Sequence, residues 1–154
     1  MIPLDDETKA LFQEVAQHLG GKLVYLRFRP PPLRTAEGEL YRDENGDLVI
    51  DIDPRWGWVH AFGVLLHESA HLKLHSHIAP VTTREVQAIG IPRPANARSS
   101  PLEPPADAMA AEWDSWAEQQ AIKDAKERGY QPEDIDWQDW LWLKLINLKY
   151  KKDE

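Results

Sequence analysis

The chain has 154 residues, of which 42% are hydrophobic and 29% are charged, and its formal net charge is −8. This length suits one domain with a core of its own, and the composition is typical of a globular protein rather than a disordered one. The acidic balance argues against direct nucleic-acid binding, which normally uses a basic surface. Because cysteine is absent, disulfide bonds and cysteine-bound metal are excluded, and any metal ligands must be His, Asp or Glu.

The sequence also predicts where the protein works. The N-terminal residues are acidic and lack the basic start and apolar run of a signal peptide. No stretch of about 18 consecutive apolar residues is present, so we expect no membrane span. These observations predict a cytoplasmic protein that does not bind a membrane.

The N-terminal part of the chain predicts one helix and a small sheet. Apolar residues recur at helical spacing over residues 3–19, and residues 22–29 alternate as a strand does. Asn45-Gly46, between two short alternating runs at 39–42 and 48–52, indicates a hairpin. We therefore expect a sheet of about three strands after the first helix.

The remainder predicts three helices and a long connection. Residues 58–75 are apolar on most sides, as in a buried central helix, and residues 107–128 and 132–151 predict two further helices. The intervening segment 78–106 is rich in proline and predicts a long loop, of the kind that is usually functional or mobile. The predicted fold is one α+β domain over residues 1–154.

The last predicted helix, residues 132–151, is rich in tryptophan and apolar on more than one face. Most of its aromatic residues are expected to pack against other helices. The apolar excess nevertheless predicts a second contact surface, for a partner protein or for another copy of the chain.

The central helix carries the motif His67-Glu68-Ser69-Ala70-His71. Residues four apart lie on one face of a helix, so His67 and His71 can direct ring nitrogens at one Zn²⁺ ion. Glu68 can then act as the general base for a zinc-activated water. Because unpaired polar groups are costly in an apolar helix, a metal-binding role is favoured over a chance match.

Several residues are candidates for the third zinc ligand. Glu112 lies on the helix that follows the long loop, together with Asp114 and Glu118, while Glu85 and Glu103 fall within the predicted loop. His77 stands six residues after His71, at the third-histidine position of the metzincin pattern. Leu74, however, occupies the glycine position of that pattern, which disfavours the sharp turn that a metzincin needs.

The chain carries an HExxHxxxH motif at His67, Glu68, His71 and His75, and a glutamate-bearing helix follows later. These features and the order of the predicted elements resemble the ImmA/IrrE family of zinc metallopeptidases. The resemblance covers roughly residues 1–125 and implies a zincin core of gluzincin type. It implies that Glu112 is the third ligand, with Asp114 as the alternative in a shifted alignment. Trp116 stands where the family has Asn or Asp, which is a departure from its second motif. His75 would steady the site or a substrate, or be a helix-end histidine.

The resemblance implies a peptidase that cleaves a regulatory protein such as a repressor, in a phage, mobile-element or stress-response circuit. Two other classes remain open from the sequence. One is a zinc-binding interaction module without proteolytic activity, and the other is a zincin-fold protein whose metal is dispensable. A metzincin-like peptidase with His77 as the third ligand is a variant of the peptidase hypothesis.

Overall fold

A computed structural model of the chain describes residues 5–31, 38–76 and 103–152. The described part is α+β, with four helices and a three-stranded mixed sheet, which confirms the predicted fold class at that level. Short 3-10 turns precede the second and fourth helices. In chain order the elements are α1 (Asp6–Gly20), β1 (Tyr25–Phe28), β2 (Gly38–Arg42), β3 (Leu48–Ile52), α2 (Trp58–His75), α3 (Glu103–Glu127) and α4 (Trp137–Lys149).

The sheet has the strand order β1-β3-β2, so β3 is central. It pairs in parallel with β1 and antiparallel with β2. The hairpin between β2 and β3 turns at Gly46, whose φ of 82° suits glycine and whose N–H donates to the Asp43 carbonyl over 3.0 Å. The hairpin predicted from Asn45-Gly46 is therefore confirmed.

One face of the sheet joins the hydrophobic core that α1 and α2 complete. Leu40, Ile50 and Ile52 supply this face and are almost entirely buried. Strand β2 comes especially close to α2 at Gly38, where an added Cβ would lie 2.1 Å from Cγ1 of Val64. Glycine at this position therefore allows the strand to lie against the helix that carries the HExxH motif.

Helix α3 packs against both α2 and α4. Buried alanines at four-residue spacing, Ala117, Ala121 and Ala125, form one face of α3 and allow a close approach. Helix α4 buries Leu141, Leu145 and Leu148 in the core, whereas Trp137 at its start is 47% exposed. The core thus accounts for one apolar face of α4, and the predicted partner surface stays a prediction.

Helix α3 begins at Glu103, inside the segment 78–106 that the sequence predicts to be a loop. Pro104 and Pro105 occupy its first turn, where a missing N–H removes no intrahelical hydrogen bond. The prediction of a loop is therefore wrong for residues 103–106, and residues 77–102 lie outside the described part. None of the helices in the described ranges combines the length and apolar character needed to cross a membrane.

Candidate metal centre

The two motif histidines lie side by side on α2, as their spacing predicts. The rings of His67 and His71 have centroids 4.7 Å apart and are inclined at 83°. Their Nε2 atoms are 3.1 Å apart. Both side chains are mostly buried, with 27% of His67 and 13% of His71 exposed. One imidazole nitrogen from each residue therefore points to the same small volume.

The first turns of α3 bring two carboxylates to these rings. Glu103 places Oε2 2.8 Å from Nε2 of His67 and Oε1 3.3 Å from Nε2 of His71. Asp107 places Oδ1 2.9 Å from the other ring nitrogen, Nδ1, of His67. Since Glu103 and Asp107 are also four residues apart, two pairs with helical spacing face each other across the α2–α3 contact.

The donor set of His67, His71 and Glu103 fits a small divalent cation. One ligand atom from each residue lies within 4.8 Å of the others, and the described residues contain no second group of this kind. Bonds of about 2.0–2.1 Å in a tetrahedron would separate ligand atoms by about 3.3 Å. The observed separations of 2.8, 3.1 and 3.3 Å are close to that spacing.

The protonation states also favour metal binding. Burial, followed by the effect of the neighbouring His67, lowers the pKa of His71 below its ordinary value of 6.5. A neutral imidazole is the form that binds a metal. The Asp107 carboxylate lies beside Nδ1 of His67, where it can accept a hydrogen bond from the Nδ1–H of a ring whose Nε2 binds a metal.

Glu68, the predicted general base, lies on α2 with its buried side chain near strand β2. The residue is 7% exposed, and its Cγ lies 3.6 Å from the position that a Cβ on Gly38 would occupy. A buried carboxylate immediately after His67 is compatible with a base held in a partly dry site.

The glutamate that the sequence favoured as third ligand, Glu112, is not among the residues that the structure brings together. It follows Glu103 by nine residues, or about two and a half turns, which places it on the opposite side of α3. There it is exposed and lines a separate cavity. Asp114 instead accepts from Nζ of Lys144 at 2.5 Å, and Glu118 lies 3.8 Å from the same ammonium group.

The other candidate histidines have different positions. The ring of His75 stacks one turn beyond His71, with centroids 5.7 Å apart, and its buried Nε2 has no partner within the described residues. It adjoins the cluster without contributing to the group of converging donors. His77 and Glu85 lie outside the described residues.

Glu103 and Asp107 are the site residues that sequence reasoning misplaced or missed. The sequence predicts Glu103 to be a loop residue, because Pro104 and Pro105 are typical of a loop. The signal that could have found both is their four-residue spacing, which matches that of His67 and His71, together with proline in a helical first turn.

When the chain is compared with models of protein families, with curated proteins and with solved structures, none matches.

Proposed function

We propose that this protein is a zinc-dependent hydrolase that cleaves peptide bonds, with His67, His71 and Glu103 as the protein ligands and Glu68 as the general base. The observation that carries the proposal is the convergence of two imidazole nitrogens and one carboxylate from two packed helices, with Glu68 directly after the first histidine. This revises the third ligand that the sequence favoured and keeps the zincin assignment as a proposal.

The donor chemistry supports zinc. Two imidazoles and one carboxylate form a common catalytic zinc set, which leaves a coordination position for water. Bound zinc would lower the pKa of that water and polarise a substrate carbonyl. The absence of cysteine removes the thiolate ligands of many structural zinc sites. The site therefore suits a catalytic ion better than a purely structural one.

The residues of the chain then have separate roles. Glu68 accepts the proton of the attacking water and returns it to the leaving amine. Asp107 accepts a hydrogen bond from Nδ1–H of His67, so it holds the ring in position and stabilises the tautomer whose Nε2 binds the metal. Glu103 supplies a negative charge beside the two imidazole rings, which favours a divalent cation at their meeting point.

The substrate class rests on the resemblance of His67-Glu68-Ser69-Ala70-His71 and the surrounding elements to the ImmA/IrrE peptidases. That resemblance supports a regulatory protein, such as a repressor in the same cytoplasm, as the substrate.

The test compares the parent protein with Glu68→Gln for zinc content and for cleavage of a mixed peptide library. We expect one zinc ion bound per chain in both proteins, and cleavage by the parent only. A loss of about 10²–10⁴-fold in cleavage rate is expected for a missing general base. Equal cleavage by the two proteins would refute this mechanism. A zinc-loaded, folded parent that cleaves nothing would favour the interaction module instead.

A further inference from the structure

A cavity of about 620 Å³ lies between α2, α3 and the end of α4, away from the metal centre. Lys73, in its wall, follows His71 by two residues and therefore points about 200° around α2 from it. Glu112 likewise faces away from Glu103 on α3. The volume falls within the range of about 300–1,000 Å³ that is usual for small-molecule sites.

The cavity has an aromatic wall with a cation placed over it. The ring of Trp116 is partly buried, and Nζ of Lys151 lies 5.2 Å above its centroid. Tyr150, also in the wall, is 67% exposed. Such a surface can stack a planar ring, because Trp116 lines the cavity and only the long side chain of Lys151, which can turn aside, is placed over its ring.

Two adjacent cations at this wall form no ion pair with any carboxylate of residues 5–31, 38–76 and 103–152. The Lys151 ammonium group lies over the Trp116 ring, and within the described residues neither Lys151 nor Lys152 makes an ion pair. Lysines nearby behave differently: Lys144 pairs with Asp114 at 2.5 Å and Lys149 with Glu14 at 2.8 Å. In a chain with 26 acidic and 18 basic residues, paired lysines are the expectation, so two unpaired ones beside a cavity offer a site for an anion.

The remaining polar groups limit the kind of anion. The Glu112 carboxylate lies in the same wall and would repel a bare anion, but it can accept hydrogen bonds from hydroxyl groups. Gln120 adds an amide that can both donate and accept. A ligand that combines a planar ring, hydroxyl donors and a negative charge would use the aromatic wall, Glu112 and the two lysines together.

We propose that this cavity binds a nucleoside 5′-phosphate. The base stacks on Trp116, the ribose hydroxyls donate to Glu112, and the phosphate lies between the ammonium groups of Lys151 and Lys152. A carboxylate that accepts from ribose hydroxyls and lysines that bind phosphate are recurrent in nucleotide sites. Glu112 and Trp116, which the metal-site motif did not explain, both have a role in this arrangement. The proposal does not depend on the function of the metal centre.

The first test is calorimetric titration of the full chain with the four common nucleoside monophosphates, with adenosine alone and with inorganic phosphate alone. We expect at least one monophosphate to bind at least tenfold more tightly than either fragment. The corresponding 2′-deoxynucleotide should bind more weakly, because it lacks one donor to Glu112. Equal binding of inorganic phosphate, or binding by none of the nucleotides, would overturn the proposal.

Variants then locate the bound nucleotide. Trp116→Leu, which keeps an apolar side chain, should weaken binding about fivefold to a hundredfold, as expected for a lost stacking partner. The double change Lys151→Ala with Lys152→Ala should weaken it at least tenfold. The matched control changes Lys123 and Lys126 to Ala, since both are exposed on α3 away from the cavity.

Thermal unfolding of each variant checks that the fold is retained. The lysine variant keeps the test decisive if Trp116→Leu unfolds, because it removes no core side chain. Nucleotide affinity that is unchanged in the lysine variant, or reduced equally in the control, would show that the cavity is not the binding site. Zinc content serves as an independent reading and should be unchanged in all of these variants.

Discussion

Two of the polar clusters in the described part of this molecule are built differently. The helical cluster comprises His67, His71, Glu103 and Asp107, from α2 and α3. The sheet cluster comprises Arg29, Tyr41 and Asp51, at the end of β1 and on β2 and β3. The first combines two carboxylates with two imidazoles and so favours a cation, whereas the second contains its own cation.

The sheet cluster satisfies much of its own hydrogen bonding. Oδ2 of the fully buried Asp51 accepts from the Tyr41 hydroxyl at 2.9 Å and from Nε of Arg29 at 3.2 Å, while Arg29 also donates to the Tyr41 oxygen at 2.7 Å. In the helical cluster, by contrast, two imidazole nitrogens and a carboxylate converge, and the cluster contains no lysine or arginine. This difference teaches that convergence of possible ligand atoms without a built-in lysine or arginine, rather than polarity or burial, distinguishes a metal-binding candidate from a structural ion pair.

The largest effect is expected from His71→Ala, which removes one of the three proposed ligands. Zinc affinity should fall by at least about a hundredfold, exceeding the tenfold to hundredfold typical of an outer partner. The measurement is competition with a chromophoric chelator at pH 7. His18→Ala is the matched control and should leave zinc affinity unchanged. His18 is an exposed histidine whose ring hydrogen-bonds the Lys151 carbonyl. Equal losses in both variants would contradict the assignment.

A smaller effect is expected from Asp107→Asn. The amide oxygen can still accept from Nδ1 of His67, but its negative charge is lost, so the ring is held less firmly and is less basic. We expect zinc affinity to fall about tenfold to a hundredfold. Asp124→Asn on the same helix is the control. The Asp124 carboxylate accepts a hydrogen bond from Asn147, far from the histidine rings. An unchanged affinity in Asp107→Asn would show that this carboxylate does not support the site.

The sheet cluster should respond through stability instead of metal binding. Tyr41→Phe removes one of two donors to Oδ2 of Asp51 and should lower the free energy of unfolding by about 1–3 kcal/mol. Urea denaturation measures this change, and zinc affinity should not change. A loss of zinc without a loss of stability would reverse the comparison between the clusters.

The pH dependence of stability provides a finer contrast. Burial raises the pKa of Asp51 above its ordinary value of 3.8 in the folded protein, despite the hydrogen bonds from Tyr41 and the nearby Arg29. Between 3.8 and the raised value, the folded state binds more protons than the unfolded state, so the contribution of Asp51 to stability decreases as pH rises through that window.

Asp51→Asn tests this sign. The difference in free energy of unfolding, parent minus variant, should decrease as pH rises from about 4 towards 7, because only the parent must bury an ionised carboxylate. Urea denaturation across this pH range measures the difference. If the difference instead grows with pH, the ion pair with Arg29 outweighs the cost of burial.

Much of the fold follows from local sequence patterns, and the exception is instructive. The helical spacing of α1, the Asn45-Gly46 turn and the apolar α2 each reflect short-range geometry, so the sequence predicts them well. The sequence predicts that α3 begins at residue 107, four residues too late, because the prolines before it are typical of a loop. Proline is common both in loops and in the first turn of a helix, and only the tertiary contacts of the flanking residues decide between the two.

The candidate site is predictable from the sequence only in part. His67, Glu68 and His71 lie on one helix, so their spacing alone indicates their chemistry. The third donor comes from a different helix, and its identity depends on how α2 and α3 pack, which no local pattern encodes. Glu112 and Glu103 lie on the same helix, but only one side of it faces the histidines.

The most direct test of the metal centre is therefore the zinc affinity of Glu103→Gln and Glu112→Gln, measured side by side by chelator competition. Both changes remove one carboxylate from α3 and leave the size of the side chain unchanged. We predict that Glu103→Gln loses at least about a hundredfold in zinc affinity, more than an outer partner would, and that Glu112→Gln matches the parent. Loss in Glu112→Gln with full retention in Glu103→Gln would contradict the proposed centre.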